Sequence, residues 1–388
     1  AATTRFNQMG GREPGTKKHE SGASDDLKKA AIQNYSAITY ATYLDALYTA
    51  QQMRIKINDF VDNPTEATLL DAQNAWLAAR LPYGQTEFAR FYNGPIDNDA
   101  TGVEGLFNSW PIDENFIDYT SDNGVITYGG IINDTTNFPT ITESIIDSMN
   151  TNGGETNISC GYHAVEFLLW GQDLSTTYAG QRPYTDYTTA QNAARRGQYL
   201  KACADLIVKH LQWVTDQWDP YSTSNYRATF ESGDANTALT DILQGMGALA
   251  YGELSGERME VAYESQLQED EHDCFSDNTT NTLRMDALGI KNAFNGTYTR
   301  IDGTVISGTS IYDVIKATDA ATADATKTAI ENGTNAIYQI QPPFDQQILS
   351  SNTAGREIVH QAIVAEQNAG TQIAAAASKL GLTITISE

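Results

Sequence analysis

The amino-acid sequence predicts an all-α chain folded as two helical-bundle lobes with long irregular loops. Three observations lead there. Through several long stretches apolar residues recur every three or four positions, the spacing that gathers them on one face of a helix. The stretches between are rich in Gly, Asn, Asp and Pro, as befits turns and loops. A helical pair followed by an irregular segment occurs twice, which suggests a pseudo-duplication. On that reading residues 1–24 are a flexible arm, 25–200 a first bundle lobe and 201–388 a second.

Residues 1–24 are rich in Gly, Lys and Ser and show no period. Tyr40, Leu44, Leu47, Ala50, Met53, Ile57 and Phe60 then form one apolar stripe on a long helix. Asp62-Asn63-Pro64 stops it, with Asn63 as cap and Pro64 at the first position of the next helix. That helix carries Leu69, Ala72, Trp76 and Ala79 and is expected to fold back on the first. Pro82, Pro95, Pro111 and Pro139 interrupt residues 81–160, so long ordered loops are expected, with a small hairpin at TSDNGVITYGG. Leu200, Cys203, Ile207, Leu211, Val214 and Trp218 make the next stripe. Leu239, Leu243 and Met246 open a third long helix that runs on through YGELSGERMEVAYES. A Gly/Asn/Thr stretch over 292–310 precedes helices over about 311–338 and from Ala354 onward.

Composition narrows the function classes. Lys and Arg number 24 against 49 Asp and Glu, giving a net charge of −25. Such a surface repels phosphates and anionic lipid, so no nucleic-acid partner is expected, while cations are attracted. The 40% of hydrophobic residues is enough to bury a core without a disulfide scaffold. Three cysteines, Cys160, Cys203 and Cys274, lack zinc or cluster spacing and read as small buried residues. Apolar runs reach only about five residues, so no transmembrane segment is expected in this chain. Scarce Lys beside abundant Asn, Thr, Asp and Tyr suits an exported chain. The opening AATTRFNQMGG carries no signal of its own, as in a processed product.

The chemistry concentrates in Cys160-Gly161-Tyr162-His163-Ala164-Val165-Glu166-Phe167. On a helix His163 and Glu166 project from one face, where an imidazole nitrogen and a carboxylate oxygen can serve one metal ion. The same spacing serves equally as an ordinary surface pair, and two residues do not fill a coordination shell. Further donors are offered by Gln268-Glu269-Asp270-Glu271-His272-Asp273, where clustered acids repel unless a cation or an arginine neutralises them. The loop with Glu104 and Trp110 is a second source. Glu253 and Glu257 lie one helical turn apart and need a cation if they face inward. The scarce arginines Arg80, Arg90, Arg182 and Arg258 suit pairing with buried carboxylates. There is no nucleophile elbow, Ser-His-Asp order or phosphate-binding glycine loop.

Four blocks in order, RLPYGQTEFARFY, NSWPIDE, GYHAVEFLLWGQD and GERMEVAYE…QEDEHDCFSDNT, resemble the imelysin family, the insulin-cleaving or M75 metallopeptidases, over about residues 30–385. The hallmark GxHxxE appears as Gly161, His163 and Glu166. The resemblance implies a bacterial protein of the periplasm or outer membrane, with a lipid anchor in the precursor, related to iron-regulated and periplasmic iron-uptake proteins. It makes His163 and Glu166 the expected metal ligands. Glu104, Glu271 or His272 are further donors, Glu257 an additional acid, and Arg182 or Arg258 a group orienting a carboxylate. Oxygen-rich ligation with an imidazole favours iron, with zinc as the alternative cofactor. Three functions remain open on this reading: capture of iron for a membrane uptake partner, cleavage of a peptide with Glu166 as the base, and a surface scaffold whose His/Glu pair is structural.

Overall fold

The structure, a computed structural model, describes residues 22–387. The expected arm over 1–24 lies almost wholly outside the described residues. Its last residue, Ser24, caps the first helix by accepting from the Leu27 N–H. That helix, α1 (Asp25–Asp62), buries the stripe from Leu47 through Met53 and Ile57 to Phe60. Thr65, rather than Asn63, caps α2 (Glu66–Gln85), in a reciprocal box with Thr68. Such caps contribute about 1 kcal/mol each. The helix runs through Pro82 and buries Leu69, Ala72, Trp76 and Ala79 against α1.

The segment that follows is irregular, as expected. It holds short helical turns, among them α3 (Glu104–Phe107), and a hairpin of β1 (Thr120–Asp122) and β2 (Val125–Thr127) turning at Asn123-Gly124. The chain then enters α4 (Tyr162–Trp170), every residue of which is buried. Next comes α5 (Ala193–Gln217), packed on α1 and α4. Residue 200, where the first lobe was expected to end, lies inside α5.

The third long helix is continuous but changes pitch. An α-helical start, α6 (Ala235–Ala248), passes into a π-helical stretch over Leu249–Glu260 and returns to α-helix over Val261–Ser265. Beyond it lie α7 (Thr279–Asn295), α8 (Ile311–Thr318), α9 (Ala320–Tyr338), α10 (Phe344–Gln347) and α11 (Thr353–Lys379). The 292–310 stretch, read as loop, holds a second hairpin of β3 (Thr297–Thr299) and β4 (Val305–Ser307).

The architecture is all-α, with these hairpins as minor additions. Helix α11 packs on α9 and on the π-helical stretch, while α7 lies against α2, α9 and the same stretch. Contact between α2 and α7 depends on small residues. A β-carbon at Gly289 would stand 2.9 Å from the Gln85 carbonyl oxygen, and one at Gly84 2.7 Å from Met285 Cβ. The buried apolar residues of both halves join in one contiguous core. From α2, Trp76 donates to the Tyr162 carbonyl and Arg80 lies over the Tyr162 ring, so this helix carries polar groups to the start of α4.

Candidate metal centre

Helix α4 is short, apolar and buried, so its imidazole and carboxyl group, His163 and Glu166, must satisfy each other or nearby groups. His163 Nδ1 lies 2.9 Å from Glu166 Oε1, the contact expected for residues one turn apart. The other oxygen, Glu166 Oε2, accepts from the Ser276 N–H at 2.9 Å and from the Ser276 hydroxyl at 2.6 Å. His163 is 2% exposed and Glu166 0%.

Gly161 sets where this helix begins. Its φ of +98° suits glycine, and a β-carbon there would fall 2.6 Å from the carbonyl oxygen of Phe107. This close approach presses the start of α4 against the end of α3, which delivers Asn108. Asn108 Oδ1 stands 3.1 Å from His163 Nε2. Its amide is held from both ends: Nδ2 donates to Glu87 Oε1 at 3.0 Å, and Oδ1 accepts from Arg80 Nη1 at 2.8 Å.

The loop between the third long helix and α7 brings the second imidazole. His272 Nε2 lies 3.3 Å from His163 Nε2, with ring centroids 4.5 Å apart and the rings steeply inclined. His272 Nδ1 is 3.3 Å from Asp273 Oδ1, which also lies 3.8 Å from His163 Nδ1 and 3.3 Å from Arg80 Nη2. Asp273 Oδ2 accepts from Asn278 at 3.0 Å and from the Thr282 hydroxyl. Trp110 closes the outer side, its ring edge-on to His272 at 4.8 Å. One donor atom from each of His163, His272 and Asp273 can be chosen so that all three lie within 4.8 Å of one another.

The protonation pattern follows from this environment. Burial first, then His272 and Arg80, depress His163 well below the ordinary imidazole range. Burial, followed by Arg258, takes His272 down to about 4. Both rings are therefore neutral at pH 7 and keep a lone pair for a cation. Burial and then Asp273 raise Glu166 well above the usual carboxylate range, against the two donors of Ser276. For Asp273 the charge of Arg80 and the contact with His272 outweigh burial and hold it low. Since Asn108 Oδ1 is fixed as an acceptor, the network assigns the hydrogen of His163 to Nε2 and that of Glu166 to the bond with Nδ1. The lone pair of His272 Nε2 then faces His163.

A wider set of ion pairs surrounds the imidazoles. Arg258, fully buried, grips Glu87 with two bonds of 2.6 and 2.9 Å and also meets Asp286. Its Nε donates to Glu253 at 2.8 Å, a pair five residues apart that the wider π-helical turn places on one face. Arg90 lies 3.2 Å from Glu87 and 3.3 Å from Glu104. Five carboxyl groups (Glu87, Glu104, Glu253, Asp273 and Asp286) thus face three guanidinium groups, Arg80, Arg90 and Arg258. The excess is met by an added cation or by retained protons, which burial favours on Glu104 and Asp286. A cavity of about 420 Å³ opens beside this network, lined by Glu104, Glu155, Glu253 and Glu257 together with Arg90, Asn108 and Trp110.

The sequence expectations sort clearly. His163, Glu166 and His272 come together. Glu104 and Glu257 line the acidic cavity instead of reaching the imidazoles. Arg258 acts at one remove, through Glu87 and Asn108. Arg182 does not: it pairs with Asp118 and Asp186 and donates to the Phe167 carbonyl at the end of α4. Glu271 points away from the imidazoles, into a separate acidic group. Four arginines read as partners of buried carboxylates, Arg80, Arg90, Arg182 and Arg258, all make such pairs. Asn108, Glu87 and Asp286 carried no sequence signal, since each is an ordinary polar residue until the fold buries it. The cysteines are free, with Cys160 and Cys203 buried.

Comparison with known proteins agrees with this architecture. The chain is 23% identical over 334 residues to iron-regulated protein A of Synechococcus elongatus, spanning 84% of this chain and 79% of that protein. A crystal structure of an iron-regulated protein A precursor from Parabacteroides distasonis superposes with a TM-score of 0.72 at 18% identity, covering 92% of this chain and 96% of that one. An imelysin-like protein from Psychrobacter arcticus superposes with a TM-score of 0.63 at 13% identity, covering 94% and 98%. At these identities the two structures speak for the fold alone. The imelysin (peptidase M75) family model matches residues 39–376, nearly the whole of the helical body, and the chain accordingly belongs to the imelysin family.

Proposed function

We propose that this chain captures a metal ion, iron in preference, between His163 and His272. The observation that carries the reading is the pair of buried Nε2 atoms 3.3 Å apart, with His163 Nδ1 bonded to the Glu166 carboxyl group and Asp273 Oδ1 standing 3.3 Å from His272 Nδ1 without a hydrogen bond. Two nitrogens bound to one ion at roughly 2.0–2.1 Å in tetrahedral array stand about 3.3–3.4 Å apart. A carboxyl group behind the ring, as Glu166 stands behind His163, is the usual support of a metal-bound histidine. Asp273, whose Oδ1 lies nearest the Nδ1 atoms of the two rings, would have to turn toward the Nε2 pair to complete two imidazoles and one carboxylate, a donor set suited to iron(II). Glu166 then orients His163 and takes up charge, with Asn108 Oδ1 as an additional oxygen close by.

The ion is cargo on this reading. The acidic cavity beside Asn108 and Trp110 gathers cations, and the burial of the centre retains them. The iron-regulated relative supports iron over zinc, and a role outside the cytoplasm, with release to a membrane uptake partner, is part of the same proposal. No helix among the described residues is long and apolar enough to cross a membrane.

Elemental analysis of protein equilibrated with iron(II) or iron(III), with zinc in competition, tests the reading. One iron per chain is expected, lost in both His163→Ala and His272→Ala while the fold is kept. If wild-type protein retains no stoichiometric metal, capture is wrong and the network is a structural scaffold. Chelator-sensitive peptide cleavage abolished by the same substitutions would instead establish the peptidase alternative.

A further inference from the structure

A second group of carboxylates meets beside the same loop, which contributes Asp277 and Glu271 to it. Oxygens of Asp173, Asp277 and Asp345 all lie within 4.8 Å of one another. They come from three separate segments. Asp173 follows the end of α4, Asp277 sits next to Ser276 in a left-handed conformation with φ +56°, and Asp345 lies in the first turn of α10. A further carboxylate, Glu271, belongs to the same neighbourhood, its nearest like charges being Asp345 and Asp277.

What separates this group from an acidic surface patch is burial without partners. Asp345 is 1% exposed, and neither of its oxygens meets a hydrogen-bond donor. Glu271 is 1% exposed and both its oxygens are likewise unmatched. One oxygen of Asp173 and one of Asp277 are also buried and unmatched. Among the described residues no lysine or arginine pairs with any of the four. Buried carboxyl oxygens without a donor or a positive charge are costly; each group can keep a proton, as burial favours for all four, or several can be satisfied at once by a shared cation.

We propose that Asp173, Asp277 and Asp345, with Glu271 beside them, bind one calcium ion that fastens the 266–278 loop to the end of α4 and to α10. The donors are all carboxylate oxygens, which suits a hard cation and excludes no water from the remaining positions. Two oxygens on opposite sides of calcium, each at 2.3–2.6 Å, stand roughly 4.6–5.2 Å apart, so donors lying within 4.8 Å of one another can share one such ion, and calcium's flexible geometry suits donors from three segments better than the near-ideal octahedron magnesium demands. The neighbouring contacts already run between the same three segments. Gln268 Nε2 donates to the Asp173 carbonyl at 2.9 Å, the Gly180 N–H to the Phe275 carbonyl at 2.9 Å, and Gln346 to the Thr176 carbonyl. The loop so fastened is the one that carries His272, Asp273 and Ser276, yet the proposal stands on oxygen donors alone and does not depend on iron capture.

The test is calcium titration by calorimetry of full-length protein previously dialysed against chelator, with thermal unfolding followed in parallel. One calcium per chain is expected, with a rise in Tm of roughly 3–6 °C at a hundredfold excess over Kd and a smaller rise with magnesium. Asp345→Asn and Asp277→Asn keep side-chain shape and should abolish both the binding and the shift, while folding at least as stably as wild type in calcium-free buffer. His163→Ala should retain the calcium response in full. Absence of stoichiometric binding to wild-type protein overturns the proposal. So does a response unchanged in both Asn variants, or one lost in His163→Ala, which would move calcium to the imidazole centre.

Discussion

At the scale of single residues, the properties that matter come from removing water around groups that normally keep it. His163 and His272 are uncharged because burial disfavours the imidazolium, so protons do not compete for their Nε2 atoms in the neutral range. Glu166 keeps a proton for the same reason, shared with His163 Nδ1. Metal uptake at Nε2 displaces the hydrogen there, and the Glu166 proton moves to Nδ1. One proton should therefore leave per ion bound at pH 7, read as acidification in weakly buffered solution. In Glu166→Gln the imidazole can hold its hydrogen on Nδ1 from the start, so release should vanish and affinity fall about 10–100-fold. Equal proton release by the variant would show that Glu166 is not coupled to the centre.

At the scale of elements, periodic apolar stripes were enough to locate the long helices, because a helix that buries one face must repeat every three or four residues. The stripes of α1, α2 and α5 appear where their residues indicated, and the hairpin at Asn123-Gly124 followed from its turn residues. The π-helical stretch was not legible. Its wider turn has no composition of its own, and it is fixed by what Glu253 and Arg258 meet across the molecule. Packing of α9 on α11 hides another feature. Glu366 of α11 is 2% exposed, lies against Gly333, and is raised to about 8 by burial. The folded chain holds this proton after the unfolded chain has lost it. Stability from this group is thus intact below about pH 4.5 and declines as pH rises to about 8, by roughly 3–5 kcal/mol in all. Glu366→Gln should flatten that decline. Urea unfolding between pH 4.5 and 9 would reveal it as a widening gap between the two proteins, whereas parallel curves would place the titration elsewhere.

At the scale of the whole molecule, the centre exists only because distant segments converge. Arg258, on the π-helical stretch, joins Glu87 from the end of α2 to Asp286 of α7. Replacing it by Met leaves Glu87, Glu253 and Asp286 with Arg90 alone at their edge, at an expected cost of about 3–5 kcal/mol. Denaturant unfolding reads this loss directly; a change below about 1 kcal/mol would mean that the carboxyls simply take up protons. Gly161-x-His163-x-x-Glu166 was readable in the sequence because helical geometry alone puts its imidazole and carboxyl on one face. Local geometry could not say which acid of residues 268–278 turns toward it. By itself, then, the sequence determined the helical class, the main stripes, the acidic surface and the first imidazole with its carboxyl partner. The tertiary structure decided that His272 faces His163, that Asn108 and Asp273 stand with them, and that Glu271 turns to another group. Those contacts join residues more than 100 positions apart, as His163 and His272 are, and only packing and the loss of water select among the many polar side chains able to make them.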